Sequence, residues 1–333
     1  MTPSLTPKIM GWLESNCGPT YKISRLVGGR NNLLWSVESQ ANTKYVIKSY
    51  GFDGRDRLDR EWSFLSRLKS CGVSSVPHPI LCDIPGRIAL FSFLPGKKLS
   101  SSSISLKNIA NASSFIVKVA RVDADGLPEA KDAHSSLEGH VKSIEGRVDA
   151  LEMASCSGPD KDEFRYFVAN ELRPFWEHTK RRINLFRDFR HWDSMRYFLS
   201  PSDFGFHNIL HSEGGLKFLD FEYAGRDDLA KLLSDFRLCP QIKVKKNHTE
   251  IFCRNIINDL ELDNGFEKRL EILTTLGRTK WVCIVLNVFL LEKNKRISNA
   301  TSSNREVMQS SKLNSAKDLL SVFRAEETPA WMS

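Results

Sequence analysis

The chain has 333 residues, 41 % of them hydrophobic and 26 % charged, with a formal net charge of +8 at pH 7. These are ordinary globular proportions, enough for one large two-lobed domain or two average ones, and the basic balance raises affinity for anions without choosing between nucleotides, phosphorylated metabolites and nucleic acid. Seven scattered cysteines, odd in number and with no CxxC pair or histidine at metal spacing, exclude a disulfide framework and a structural zinc site and fit reduced thiols in the cytoplasm.

The opening MTPSLTPKIMGWLES has no basic region followed by an apolar run, so it does not read as a signal peptide. Strands are expected at 21–26 and 33–38, flanking a turn of Gly28, Gly29, Arg30, Asn31 and Asn32, with a third at 45–50. Leu58, Trp62, Leu65 and Leu68 recur at helical period within 56–69, and Cys71-Gly72 ends that helix. Two more strands, 80–82 and 87–93, surround the Pro85-Gly86 turn. The rest reads as mainly helical: 108–123, 136–153, 160–186 with Pro174 as a start or kink, 266–276, 278–295 and 307–323. A β-hairpin interrupts it at 208–221. The most apolar run, Trp281 to Leu291, is about 11 residues against the roughly 20 that a membrane span needs, so it reads as a buried helix.

Two sets of residues carry chemistry. The first is Asp203, Asn208 five residues on, a hairpin, then Asp220-Phe221-Glu222. Phosphoryl transfer needs little covalent chemistry from a protein; it needs an aligned nucleophile and metal ions that neutralise the phosphates. Asp203 suits accepting or orienting the proton of an attacking hydroxyl. Asn208 and Asp220 supply the oxygen ligands that Mg2+ prefers. An isolated D-x-x-x-x-N is common by chance in turns and caps, and the added Asp220 lifts it above that background. The second set is Lys48 on a strand, preceded by the glycine turn and followed by Glu61 on the amphipathic helix. Lysine there suits contact with phosphates and glutamate suits holding it, while an exposed strand lysine and a solvated helix glutamate are the plain alternatives. Gly28 and Gly29 let backbone N–H groups approach an anion, as an ordinary hairpin turn would too.

His207 reads as a loop histidine or a substrate contact, and Asp228 as a helix N-cap. Asp235 and Arg237 fit acceptor contacts or an ion pair. Lys180-Arg181-Arg182 and the basic run 243–246 read as solvated faces, without the aromatics that nucleic-acid binding would call for.

GGRNN, YVIKSY, Glu61 within DREWSFLSRL, FSFLPGKKL, SDFGFHNIL, LDFEYAG and DDLAKLLSDF, spread over about residues 20 to 240, resemble the aminoglycoside phosphotransferase and choline kinase-like family. The resemblance implies an α+β, two-lobed protein-kinase-like fold: residues 1–96 an antiparallel N-terminal ATP-binding lobe with one helix and a hinge, residues 97–333 a helical lobe with the catalytic loop and acceptor site. It implies ATP and Mg2+, a small-molecule hydroxyl as acceptor, and no nucleic-acid partner or membrane span. Asp203 would be catalytic, and Asn208 and Asp220 the metal ligands. Lys48, Glu61, Gly28, Gly29, Asn31, Ser92, Phe93 and Leu94 would meet the nucleotide. The family usually reads H-G-D where this chain has Pro201-Ser202-Asp203, a departure that leaves a nucleotide-binding pseudokinase or scaffold as the rival reading. A protein kinase is disfavoured, because no long activation segment follows Asp220. The Lys- and Arg-rich helical lobe points to a neutral or anionic acceptor.

Overall fold

Thr6 opens the first helix, α1 (Pro7–Cys17), accepting a hydrogen bond from the Ile9 N–H, with Pro7 at the start where its missing N–H costs nothing. The computed structural model describes residues 5–18, 20–26, 32–51, 56–155, 159–184, 196–290 and 302–327. They form two units: Met1–Ala133, Tyr197–Leu232 and Val244–Glu261 in the first, His134–Arg196, Leu233–Lys243 and Leu262–Ser333 in the second.

In the first unit β1 (Lys22–Arg25), β2 (Asn32–Glu38), β3 (Lys44–Tyr50), β4 (Pro79–Asp83) and β5 (Ile88–Ser92) make an antiparallel sheet in the order β1-β2-β3-β5-β4. The strands and the helix α2 (Arg57–Ser70) fall where the apolar patterning placed them. Alternation along β3 and β5 decides what each face carries. Trp35, Val37, Ile47, Ile88 and Leu90 pack with Ile9, Leu13 and Cys17 of α1. Lys48 therefore points to the opposite face, where its β5 partner is the small Ala89. Phe64, Leu65 and Leu68 of α2 are buried.

Shorter pieces complete the unit. β6 (Lys97–Lys98) joins the hairpin of β8 (Ile209–Ser212) and β9 (Gly215–Phe218) in a three-stranded sheet. β7 (Phe198–Ser200) pairs with β10 (Gly225–Asp227), matching Ser200 with Gly225 and Phe198 with Asp227. α3 (Leu106–Ala120) packs on α8 (Lys246–Asp259). Phe115 of α3 stacks on Phe218 at 3.7 Å, and Phe204 and Phe252 extend the aromatic cluster.

The second unit is helical: α4 (Leu137–Glu152), α5 (Lys161–Phe167), α6 (Arg173–Asn184), α9 (Asn264–Leu286) and α10 (Ser302–Glu327). A π turn, Val168–Leu172, joins α5 to α6 just before Pro174, so the proline marks a join between helices. α9 runs unbroken through Gly277, where the spacing predicts two helices. A Cβ at Gly277 would press on Leu238 and Ser234, so this glycine serves close packing and ends no helix. With the 3₁₀ turn that follows, Asn264–Phe289 is long and apolar enough to cross a membrane by length and composition, but most of it is buried, against α10, α4 and α6.

Candidate active site

Three elements of the first unit bring the charged residues together. Lys48 on β3 has its Nζ 2.7 Å from Glu61 Oε2 on α2 and 2.8 Å from Asp220 Oδ1 in the turn after β9. The Lys48 and Glu61 side chains are almost completely buried, whereas that of Asp220 is 41 % exposed. Glu61 is satisfied from three sides: the Tyr50 hydroxyl donates to Oε2 at 2.7 Å, and the Phe221 N–H donates to Oε1 at 3.3 Å. Phe221 stacks on Phe64, with ring centroids 4.8 Å apart, tying the same turn to α2 through apolar contact. Glu61 thus holds both the lysine and the backbone beside Asp220.

The electrostatics follow from burial and pairing. Burial alone would lower the Lys48 pKa, but Asp220, Glu61 and Glu222 outweigh it and keep the ammonium charged. Burial pushes the Asp220 carboxyl up, yet the Lys48 charge and hydrogen bond hold it below the ordinary range, as an ionised carboxylate. Burial raises Glu61, with Lys48 drawing it partly back. The Tyr50 hydroxyl is raised well above its usual value by burial and then by Glu61, so it stays a donor.

The loop that carries Asp203, His207 and Asn208 is tied to the Asp220 turn. The Asn208 amide nitrogen donates to the Asp203 carbonyl at 3.2 Å, which turns its oxygen away from that carbonyl. The Leu219 N–H donates to the Asn208 carbonyl at 2.9 Å, so the loop and the Asp220 turn share a backbone hydrogen bond. His207 Nε2 lies 3.2 Å from Asp203 Oδ1, and Lys98 donates to the His207 carbonyl at 3.2 Å. His207 is thus a partner of Asp203. Asp220 has φ +65° and Ser202 φ +63°, left-handed conformations that cost a non-glycine residue of order 1–3 kcal/mol and collect at functional sites. An ionised, half-open carboxylate and an amide oxygen form a donor set that suits Mg2+.

Several expected nucleotide contacts are placed less directly. Ser92 donates its N–H to the His78 carbonyl at 3.0 Å, and Phe93 to the Lys44 carbonyl at 3.3 Å, so both donors serve the sheet. Leu94 follows them. Gly28, Gly29 and Asn31 lie outside the described residues. Sequence reasoning gave no role of their own to Tyr50, Asn32, Glu222 and Arg57. Asn32 Nδ2 donates to Glu222 Oε2, and Arg57 lies 3.9 Å from its other oxygen, so a buried carboxylate ties the start of β2 to the Asp220 turn. The available signals were Tyr50 two strand positions from Lys48, hence on the same face, and Glu222 two after Asp220.

A match to the model of the phosphotransferase enzyme family (APH) covers residues 22–196, just over half of the chain. The chain belongs to that family. The matched span holds Lys48 and Glu61, while Asp203, Asn208 and Asp220 follow it. Among solved structures, this phosphotransferase is similar to an ethanolamine kinase of Plasmodium vivax at 15 % identity, over 94 % of this chain and 87 % of that one, with TM-score 0.62. It is similar to choline kinase LicA of Streptococcus pneumoniae at 16 % identity, over 94 % and 98 %, with TM-score 0.59. A spectinomycin phosphotransferase, APH(9)-Ia, in complex with ADP and spectinomycin, matches at 13 % identity, over 96 % and 99 %, with TM-score 0.65. At such identities the likeness is one of fold, which is protein-kinase-like, with an antiparallel sheet and a mostly helical remainder. No curated protein matches the phosphotransferase in sequence.

A further buried pair lies next to Ser202: Lys231 Nζ is 2.7 Å from Asp227 Oδ2, both almost fully buried. The expected cap is nearby, where the Ala230 N–H donates to Asp228 Oδ1 at 2.9 Å to start α7 (Leu229–Leu238). Burial pushes the Asp227 carboxyl up to about 6 against the pull of Lys231. A carboxyl whose pKa is higher folded than unfolded binds more protons in the folded chain, so its stabilising contribution is full in acid and is lost as pH rises through about 6. Asp227 is expected to remove about 1 kcal/mol of stability between pH 5 and pH 7. Calorimetric Tm values across that range should show the fall, and Asp227→Asn should flatten it. An unchanged slope would assign the dependence to another group, Glu61 first.

Proposed function

We propose that this phosphotransferase moves the γ-phosphoryl group of ATP to a hydroxyl of a small molecule, a sugar, an amino alcohol or a related metabolite. The observation that carries the reading is the convergence of Lys48, Glu61 and Asp220, 172 residues apart in sequence at the extremes, next to a loop that carries Asp203 and Asn208. In this reading residues 1–96 form the nucleotide lobe and hinge, and residues 97–333 the helical lobe that takes the acceptor. The plentiful ATP and magnesium of the cytoplasm suit the reaction.

Lys48 gives its ammonium to the α- and β-phosphates, exchanging part of its pairing with Asp220 for phosphate oxygens, while Glu61 and Tyr50 keep it in place. Asn208 and Asp220 would hold magnesium, which when bound neutralises charge on the β- and γ-phosphates. Asp203 orients the acceptor hydroxyl and takes its proton as the new P–O bond forms and ADP leaves. His207 fixes the Asp203 carboxylate. A purine at the hinge would meet the carbonyls of Ser92 and Phe93 or the Leu94 N–H. Gly28, Gly29 and Asn31 are proposed to close over the triphosphate. The fold likeness to choline, ethanolamine and spectinomycin kinases supports a small acceptor without choosing one.

The deciding experiment offers purified protein ATP and Mg2+ with a panel of sugars and amino alcohols and measures ADP release. Release dependent on one acceptor is the expected result. ATP binding with no release on any acceptor would favour the pseudokinase reading instead.

A further inference from the structure

The buried Asp227–Lys231 pair calls for an explanation beyond stability. A buried ion pair gains little over apolar residues of similar volume, because desolvation offsets the attraction. What such a pair does is fix the position of a charge. The Lys231 ammonium, held by Asp227, also lies 3.4 Å from the Ser202 hydroxyl, which in turn reaches the Lys131 carbonyl at 3.4 Å. The Ser202 N–H donates to Ser200 Oγ at 3.1 Å.

The residues that hold this arrangement are themselves fixed. Asp227 ends β10 opposite Phe198 of β7, the strand that leads into the catalytic loop, and its other oxygen accepts the Asp228 N–H at 2.9 Å. Lys131 is bound to the same region, its N–H donating to the Tyr223 carbonyl at 3.0 Å. A Cβ at Gly225 would collide with the backbone of Pro128–Ala130, so the 128–131 segment lies hard against β10. Ser202, one residue before Asp203, sits in a left-handed conformation that persists only where the surroundings over-determine it.

We propose that Lys231 is a positioning residue: clamped by Asp227, it holds Ser202 in its left-handed conformation and thereby aims Asp203. The proposal rests on the reading of Asp203 as the catalytic residue. Its consequence is that removing the ammonium frees the loop without touching nucleotide contacts.

The test is hydrogen exchange by mass spectrometry on the full chain, following peptides that cover 200–208. Two variants are compared with wild type: Asp227→Leu with Lys231→Met, which leaves no orphan charge, and Ser202→Ala, which keeps the ion pair. Both should exchange about tenfold faster or more in the loop while α2 keeps its protection. With MgATP, turnover should fall about tenfold while the KM for ATP stays within about twofold. Loop exchange within about twofold of wild type in either variant, or equal losses in kcat and ATP affinity, would overturn the proposal. If the double variant does not fold, Ser202→Ala decides alone. Exchange does not depend on turnover, so failure of the Asp203 reading and failure of this proposal show up separately.

Discussion

Asp203→Asn is expected to lower turnover roughly 10²- to 10⁴-fold, the range of a lost proton acceptor in the transition state, and to leave ATP affinity within about twofold. The geometry separates the two effects. Asp203 holds Asn208 through its backbone carbonyl, which the substitution keeps, and an amide can still meet His207 at the same position. The cluster around Lys48, proposed to meet the nucleotide, is bonded through Glu61 and Asp220 and not through the Asp203 side chain. Single-turnover phosphoryl transfer and calorimetric ATP titration, with Mg2+ present, measure the two quantities. Asp220→Asn should damage Mg2+-dependent nucleotide binding as well. If the two substitutions affected binding equally, the roles given to Asp203 and Asp220 would be wrong.

Lys48→Met is expected to act twice. It leaves the Glu61 carboxylate buried without its cation, and breaking a buried pair in this way costs about 3–5 kcal/mol. It also removes the charged donor to the phosphates, worth about 10- to 100-fold in ATP affinity at 1.5–3 kcal/mol for a hydrogen bond to a charged group. Adding Glu61→Gln takes away the orphan charge, so Lys48→Met/Glu61→Gln should regain most of the stability and none of the affinity. Urea unfolding followed by circular dichroism, with ATP titrations on the same samples, tests this. A double variant as unstable as Lys48→Met would mean that Glu61 is not stabilised mainly by its lysine.

The large elements were legible because each repeats a period. β2, β3 and α2 alternate or recur strongly enough to place Lys48 and Glu61 on facing surfaces, and the hairpin carries Asp220 to the spacing expected after Asn208. Much of what escaped was short or polar. β6, β7 and β10 are two or three residues long, too short for any periodicity, and exist through tertiary pairing. α1 was unread although Thr6-Pro7 is a start signal for a helix. Gly277 looked like a helix end and proved to be a packing contact. Glu222, Asn32 and Lys231 are polar residues in buried places, and composition gives a polar residue no sign of burial until its partner is known.

The unit that holds the candidate site is sewn from three stretches, the last of them closing at Glu261. During synthesis at 5–20 residues per second, roughly 6–26 s pass between the emergence of Ala133 and that of Glu261. Throughout that interval Lys48 and Glu61 have been made but Asp220 and Glu222 arrive only part-way, so the nascent sheet waits with its charged face unfinished. Long-range closure of this kind slows folding, so Lys48 and Glu61 stay without Asp220 until the second stretch has been made.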